Sequence, residues 1–106
     1  GRLKRFVKVG GEMISLPAIE AVLLAAFASD NDEGPSIAVT DIGEEGNEEI
    51  VLFATLELRR EDVNNAIRTA GLSGLHNVRR VHRIDDLPLL GTGKVDYRAL
   101  KRLPTA

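Results

Sequence analysis

The chain has no cysteine, no tryptophan, one tyrosine and one methionine in 106 residues. Without cysteine there is no disulfide framework and no thiolate metal site, and a reducing compartment is permitted. Histidine is scarce as well. His76 sits in a glycine-rich turn and His82 in a basic run, with no ligand-like spacing, so no metal site is expected. No apolar run approaches the ~20 residues of a membrane-spanning helix, and no signal-peptide pattern opens the chain. Phe6 and Tyr97 are the aromatic residues near the basic groups and no nucleic-acid motif is present, so nucleic acid is not an expected partner. Ser15, Ser29, Ser36 and Ser73 lack the strained turn that exposes a nucleophilic serine. Asp85 and Asp86 are neighbours at a strand end, where their side chains point apart, and read as loop-capping residues rather than a paired acid and base. On its own residues the chain carries no complete active site.

What is present fits one globular domain, with 43% hydrophobic and 28% charged residues. The net charge of −2 hides a segregation along the chain. Residues 1–29 carry Arg2, Lys4, Arg5 and Lys8 against Glu12 and Glu20. Residues 30–62 carry eleven acidic groups against Arg59 and Arg60, and residues 63–106 carry eight basic groups against Asp85, Asp86 and Asp96. If the two ends meet, they make a basic face suited to an acidic protein or a phosphate-rich cofactor. The start, Gly-Arg-Leu-Lys, lies directly inside a structured-looking segment rather than a polar lead-in, so a piece of a longer protein is expected.

RFVKV (5–9) and EMIS (12–15) around Gly10-Gly11 predict a hairpin. From Leu16 the period changes, and Leu16, Ile19, Val22, Leu23, Ala26 and Phe27 share one face of a helix over 16–28. Ser15 can cap it, and Pro17 is tolerated in its first turn. SIAVTD (36–41) and EIVLFATL (49–56) predict an antiparallel pair. A helix follows at about 60–70, with Val63, Ala66, Ile67 and Ala70 inward and Gly71 as its stop. VRRVHRI (78–84) reads as a third strand, IDDLPLLGTGKV as an extended loop, and Asp96 as the N-cap of a helix over 97–103 with Leu100 and Leu103 inward. The expected class is α+β: a mainly three-stranded sheet, an N-terminal hairpin and about three packed helices.

LLGTGKVDYRAL (89–100) invites a phosphate-loop reading, which fails at both ends. The first glycine position is Pro88, which has no N–H, and the residue after Lys94 is Val95, which has no hydroxyl for Mg²⁺. Lys94 is then either a solvated surface lysine or a point charge held out toward phosphate or carboxylate oxygens, with Gly91 and Gly93 giving it reach. Gly10-Gly11 is either a plain hairpin turn or a place where backbone approaches a ligand closely.

Together the two stretches point further. GRLKRFVKVGGEMISLPAIE at the start and DLPLLGTGKVDYRALK near the end resemble the two signature motifs in the C-terminal domain of adenylate-forming acyl-activating enzymes. That superfamily includes acyl-CoA synthetases, nonribosomal-peptide adenylation domains and firefly-type luciferases. The resemblance covers nearly the whole chain, with both motifs in order. Within the superfamily, RLKRFVKVGGEMISL and LPLLGTGK look most like the acyl–acyl-carrier-protein synthetase part of bifunctional 2-acylglycerophosphoethanolamine acyltransferases.

The resemblance implies a single C-terminal lid domain over 1–106, cut from a longer enzyme and inactive alone. The enzyme would use ATP and Mg²⁺, bound mainly by an N-terminal adenylation domain of the same chain, to activate a fatty acid. The acyl group then passes to the phosphopantetheine of acyl carrier protein or to CoA. By carry-over, Lys94 matches the adenylation lysine and Lys4 the hinge, where many members have aspartate. Lys8, Gly10, Gly11 and Glu12 match the hairpin that lines the pantetheine tunnel in the thioester step. Met13 stands where many acyl-CoA synthetases have a basic side chain. No direct membrane contact from this domain is implied, and the enzyme is expected on the cytoplasmic side, any membrane association coming from other segments. The rival reading is a free-standing interaction module that binds an acidic protein through the basic face.

Overall fold

The computed structural model describes residues 6–27, 36–43 and 48–103, and the hinge candidate Lys4, with Arg2 and Arg5, lies outside them. The chain opens with two short strands, β1 (Phe6–Val9) and β2 (Glu12–Ser15), paired antiparallel from Phe6 with Ser15 to Val9 with Glu12. Alternation sends Val7 and Ile14 inward, where both are buried, and leaves Phe6 and Met13 exposed. Helix α1 (Leu16–Phe27) begins at once, and the Ala18 N–H donates to Ser15 Oγ at 3.3 Å. This is the expected cap. Leu16, Ile19 and Leu23 are buried, Val22 and Phe27 half-buried, and Ala26 exposed. Ala26 was expected inward, but its single methyl in the last turn does not reach the layer beneath.

Strands β3 (Ile37–Ile42) and β4 (Glu49–Ala54) form the expected antiparallel pair, in register from Ile37 with Ala54 to Ile42 with Glu49. Helix α2 (Arg60–Thr69) buries Val63 and Ile67 and stops at Gly71, whose N–H reaches the Arg68 carbonyl at 2.9 Å. Ala70, expected inward, sits at the C-cap and is exposed. After a 3₁₀ turn at Gly74–His76, strand β5 (Arg80–Arg83) pairs parallel with β4. The intervening helix is what such a pairing needs as a crossover. The sheet order is β3-β4-β5, so β4 is central.

Residues on β4 alternate between two apolar clusters. Ile50, Leu52 and Ala54 pack with Ile19 and Leu23 of α1, Val63 and Ile67 of α2, and Val7 and Ile14 of the hairpin. Val51 and Phe53 pack on the other face with Ala38, Leu87, Val95 and Leu100. Coverage on both faces explains why IVLFA reads as an unbroken apolar run rather than an alternation. Leu100 belongs to α3 (Tyr97–Lys101), which ends two residues before the expected Leu103. The architecture is the α+β one expected: a three-stranded sheet, a separate hairpin and three helices among the described residues.

The segment before β5 is held by α2. The Asn64 side chain accepts from the Val78 N–H at 2.7 Å and donates to the Val78 carbonyl at 3.0 Å, standing in for a neighbouring strand. Arg60 Nη1 adds a hydrogen bond to the Arg79 carbonyl at 3.3 Å.

Candidate functional site

The stretch around Lys94 is not an extended loop but a miniature hairpin. Leu89 and Val95 form an antiparallel bridge, the Leu90 N–H donates to the Lys94 carbonyl at 2.7 Å, and the Asp96 N–H to the Pro88 carbonyl at 2.8 Å. Gly91-Thr92-Gly93 closes it as a three-residue turn. The Gly93 N–H reaches the Leu90 carbonyl at 2.9 Å, and Gly93 takes φ +88° in the bulge position where L side chains are strained. Sequence reasoning took Gly91 and Gly93 as a source of reach. In the fold they pin the backbone, and the reach of Lys94 is that of its own exposed stem. Val95 behind it is buried, and Asp96 Oδ1 accepts from the Ala99 N–H at 3.1 Å, capping α3 as expected. Leu89 and Leu90 stand about half exposed beside the lysine.

One contact ties this end of the molecule to α1. The Tyr97 hydroxyl donates to the Glu20 carboxylate, 2.8 Å from Oε1 and 2.9 Å from Oε2. Glu20 Oε2 also accepts the Val39 N–H at 2.9 Å. Because β3 is an edge strand, that N–H points away from the sheet, and the carboxylate receives it there. No sequence signal joins residues 20, 39 and 97. Glu20 reads as the polar side of a helix, and Tyr97 as its first-turn residue.

The second candidate region is the tip of the β1–β2 hairpin. Gly10 and Gly11 have φ +57° and +85°, the pair of positive values that a two-residue type I′ turn demands. Their surroundings differ. A Cβ on Gly10 would lie 3.0 Å from Leu75 Cδ2, whereas one on Gly11 would meet no atom within 4 Å. Gly11 is thus bare backbone facing open space. Lys8 and Glu12 are exposed beside it. Grooves lie on both sides of the hairpin. One of about 900 Å³ runs past Lys8 and Gly10 to Arg60 and Arg79, with Glu48 and Glu49 also lining it. The other, about 780 Å³, passes Lys8 and Gly11 to Asp41 and Glu48.

Lys94 and the hairpin are not brought together. Val7 and Ile14 anchor the hairpin in the α1–α2 side of the core, whereas Val95, next to Lys94, belongs to the cluster on the opposite face of the sheet. The domain therefore presents two separate candidate surfaces. The charge segregation along the sequence is not preserved in space: Lys101 Nζ lies 3.2 Å from Asp41 Oδ1 and Arg80 Nε 3.7 Å from Glu49 Oε2. Asp85 is exposed and pairs with Arg83 at 3.6 Å.

The histidines serve the fold. His76 Nδ1 is 3.0 Å from Ser73 Oγ within the 3₁₀ turn. His82 stacks on Phe53 with ring centroids 5.3 Å apart, and its Nε2 is buried without a hydrogen-bond partner. Burial, with the Arg80 charge adding to it, holds this imidazole below its ordinary pKa of 6.5.

No family model matches the chain. Solved structures do share its fold. The chain superposes over 96% of its length on the amide bond synthetase McbA from Marinactinospora thermotolerans, with TM-score 0.73 and 20% identity. MbtA from Mycobacterium smegmatis matches 98% of the chain, with TM-score 0.77 and 22% identity. An acyl-CoA synthetase from Brucella canis matches 96%, with TM-score 0.74 and 20% identity. The chain spans about a fifth of the length of each: 20%, 20% and 19%. At these identities what is shared is the fold, the α+β fold expected from the sequence.

Proposed function

We propose that this chain is the mobile C-terminal lid of an ATP-dependent acyl-activating ligase, a fatty-acyl–carrier-protein or fatty-acyl-CoA synthetase. The observation that carries the reading is placement. The two stretches resembling the superfamily's signature motifs form two exposed turns, packed on opposite faces of one sheet. The fold around them is one shared with a fifth of an acyl-CoA synthetase.

In this reading Lys94 serves the first half-reaction. A carboxylate attacking the α-phosphate of ATP brings two anions together. One ammonium between them offsets their repulsion and stabilises the charge that grows in the transition state. The pinned backbone at Leu90 and Asp96 gives that ammonium a fixed origin. The hairpin serves the second half-reaction. Bare backbone at Gly11 leaves room for a phosphopantetheine arm to pass, with Lys8 and Glu12 beside it. Because the two surfaces lie on opposite faces, serving both steps requires the lid to turn. Lys4 takes the hinge role by its position in the motif. ATP and Mg²⁺ would be held mainly by the rest of the enzyme. The chain alone is expected to be inert, since one ammonium on an exposed turn activates nothing by itself.

The test separates the half-reactions in the full-length enzyme. Lys94→Ala should lower acyl-adenylate formation by about 10²–10³-fold and spare thioester formation from supplied acyl-adenylate. Equal loss in both steps would refute the assigned role. Calorimetry of the 106-residue chain should detect little ATP binding, and tight binding would place the nucleotide site here instead.

A further inference from the structure

We infer that Glu20 and Tyr97 are positioning residues for Lys94, a clasp that holds the lysine's hairpin in register with the opposite face of the domain. The inference rests on the adenylation role proposed above for Lys94.

Helix α3 has five residues, Tyr97–Lys101, too few to be stable by propensity alone. It is held by the Asp96 cap, by buried Leu100, and at its first residue by the Tyr97 hydroxyl on both oxygens of Glu20. Tyr97 is three residues from Lys94, and the chain between them is continuous with the bridge that fixes the lysine. Val95 pairs with Leu89, and the Asp96 N–H is bonded to the Pro88 carbonyl. A shift of Tyr97 is therefore transmitted to the Lys94 backbone through Val95 and Asp96.

The other end of the clasp lies on a different layer. Glu20 belongs to α1, which follows the hairpin with no loop between Ser15 and Leu16. Its carboxylate also takes the outward N–H of Val39 on edge strand β3. One side chain thus joins α1, the sheet edge and α3, passing around the sheet from one core cluster to the other. The acceptor is a carboxylate, the stronger kind of hydrogen-bond acceptor, and its two oxygens share the one hydroxyl proton at ordinary distances of 2.8 and 2.9 Å.

The test is Tyr97→Phe in the enzyme that carries this domain. The substitution removes one oxygen and keeps the ring that packs against the second cluster. The kcat for acyl-adenylate formation should fall about tenfold to a hundredfold, the effect of displacing a reacting group by about an ångström. The KM for ATP and thioester formation from supplied acyl-adenylate should stay unchanged. Adding Glu20→Gln to Tyr97→Phe should lower adenylation little further, since the clasp is already open. Undiminished adenylation by Tyr97→Phe, or a parallel loss in both half-reactions, would overturn the clasp, the second outcome marking a merely structural contact. Lys94→Ala run alongside separates the two levels. If it abolishes adenylation while Tyr97→Phe does not, the clasp falls and the functional reading stands. If Lys94→Ala adenylates normally, both fall.

Discussion

Replacing each glycine of the hairpin turn by alanine separates what the fold needs there from what a ligand would need. Both residues have positive φ, +57° at Gly10 and +85° at Gly11, so an L side chain at either position is strained by roughly 1–2 kcal/mol. Alanine also restricts the unfolded chain, which offsets about 0.4–1 kcal/mol of that strain. At Gly11 nothing further is added, because the new Cβ meets no atom within 4 Å. Gly11→Ala should therefore destabilise the chain by about 0.5–1 kcal/mol. At Gly10 the new Cβ lies 3.0 Å from Leu75 Cδ2, and the Leu75 side chain must shift by a few tenths of an ångström, away from its ideal rotamer angles. That adds about 0.5–1.5 kcal/mol and brings Gly10→Ala to about 1–2.5 kcal/mol. With ~4–8 °C per kcal/mol for a domain near this size, the two melting temperatures should differ by several degrees, Gly10→Ala being lower. Thermal unfolding followed by circular dichroism measures this directly. A Gly11→Ala variant as unstable as Gly10→Ala would refute the assignment of open space around residue 11. Gly11→Asn then isolates function, because asparagine accepts positive φ and should fold with little loss. If it nevertheless loses thioester formation in the full-length enzyme, the space over Gly11 is used by the acceptor. Normal thioester formation would refute the tunnel role.

Other substitutions test the remaining contacts. Asn64→Ala leaves the buried Val78 N–H and its carbonyl without their side-chain partners, and should destabilise by about 2–4 kcal/mol in urea titrations. A change below about 0.5 kcal/mol would mean that water replaces the side chain there. His82 is held below its ordinary pKa in the fold, so the unfolded chain takes up its proton first as pH falls. Its contribution to stability is full above pH 6.5 and declines as pH drops below that value toward the depressed folded pKa. His82→Phe should flatten the stability–pH curve below pH 6.5, and an unchanged slope would assign the dependence to other groups.

The sequence carried most of the elements because their signals are local. The change of period at Leu16, the Ser15 and Asp96 caps and the stop at Gly71 each act within a turn or two of the residue concerned. What was not legible depends on partners far along the chain. The parallel pairing of β5 with β4 is settled by α2, which packs on one face of the sheet as the crossover from one strand to the other, not by anything within VRRVHRI. Pro88 and Leu90 look like ordinary loop residues until their backbone groups are seen closing the bridge around Lys94. The candidate site divides the same way. Lys94, Lys8, Gly10, Gly11 and Glu12 stand out by motif, whereas Glu20 and Tyr97, 77 positions apart, are joined only by the fold.

These contacts bear on how a domain of this size could serve two chemical steps. A lid that presents one face and then the other must turn as a body, since motion within the domain would blur the position of either face. Two apolar clusters on opposite sides of a three-stranded sheet have that sheet as their common structure. Left to apolar packing, which is non-directional, the Lys94 layer could slide on the sheet relative to the hairpin layer. Directional bonds that pass from one layer to the other resist such sliding, and Glu20 makes two kinds of them, to Tyr97 and to Val39. Lys101 and Asp41 add an ion pair between α3 and β3 at 3.2 Å. That pair is half exposed and screened, so it should contribute at most about 1 kcal/mol and weaken with salt. The Glu20 clasp is half-buried, its carboxylate accepting from the Tyr97 hydroxyl and the Val39 N–H. If the two faces are to move together, the Glu20 clasp is a directional contact that helps hold their registration.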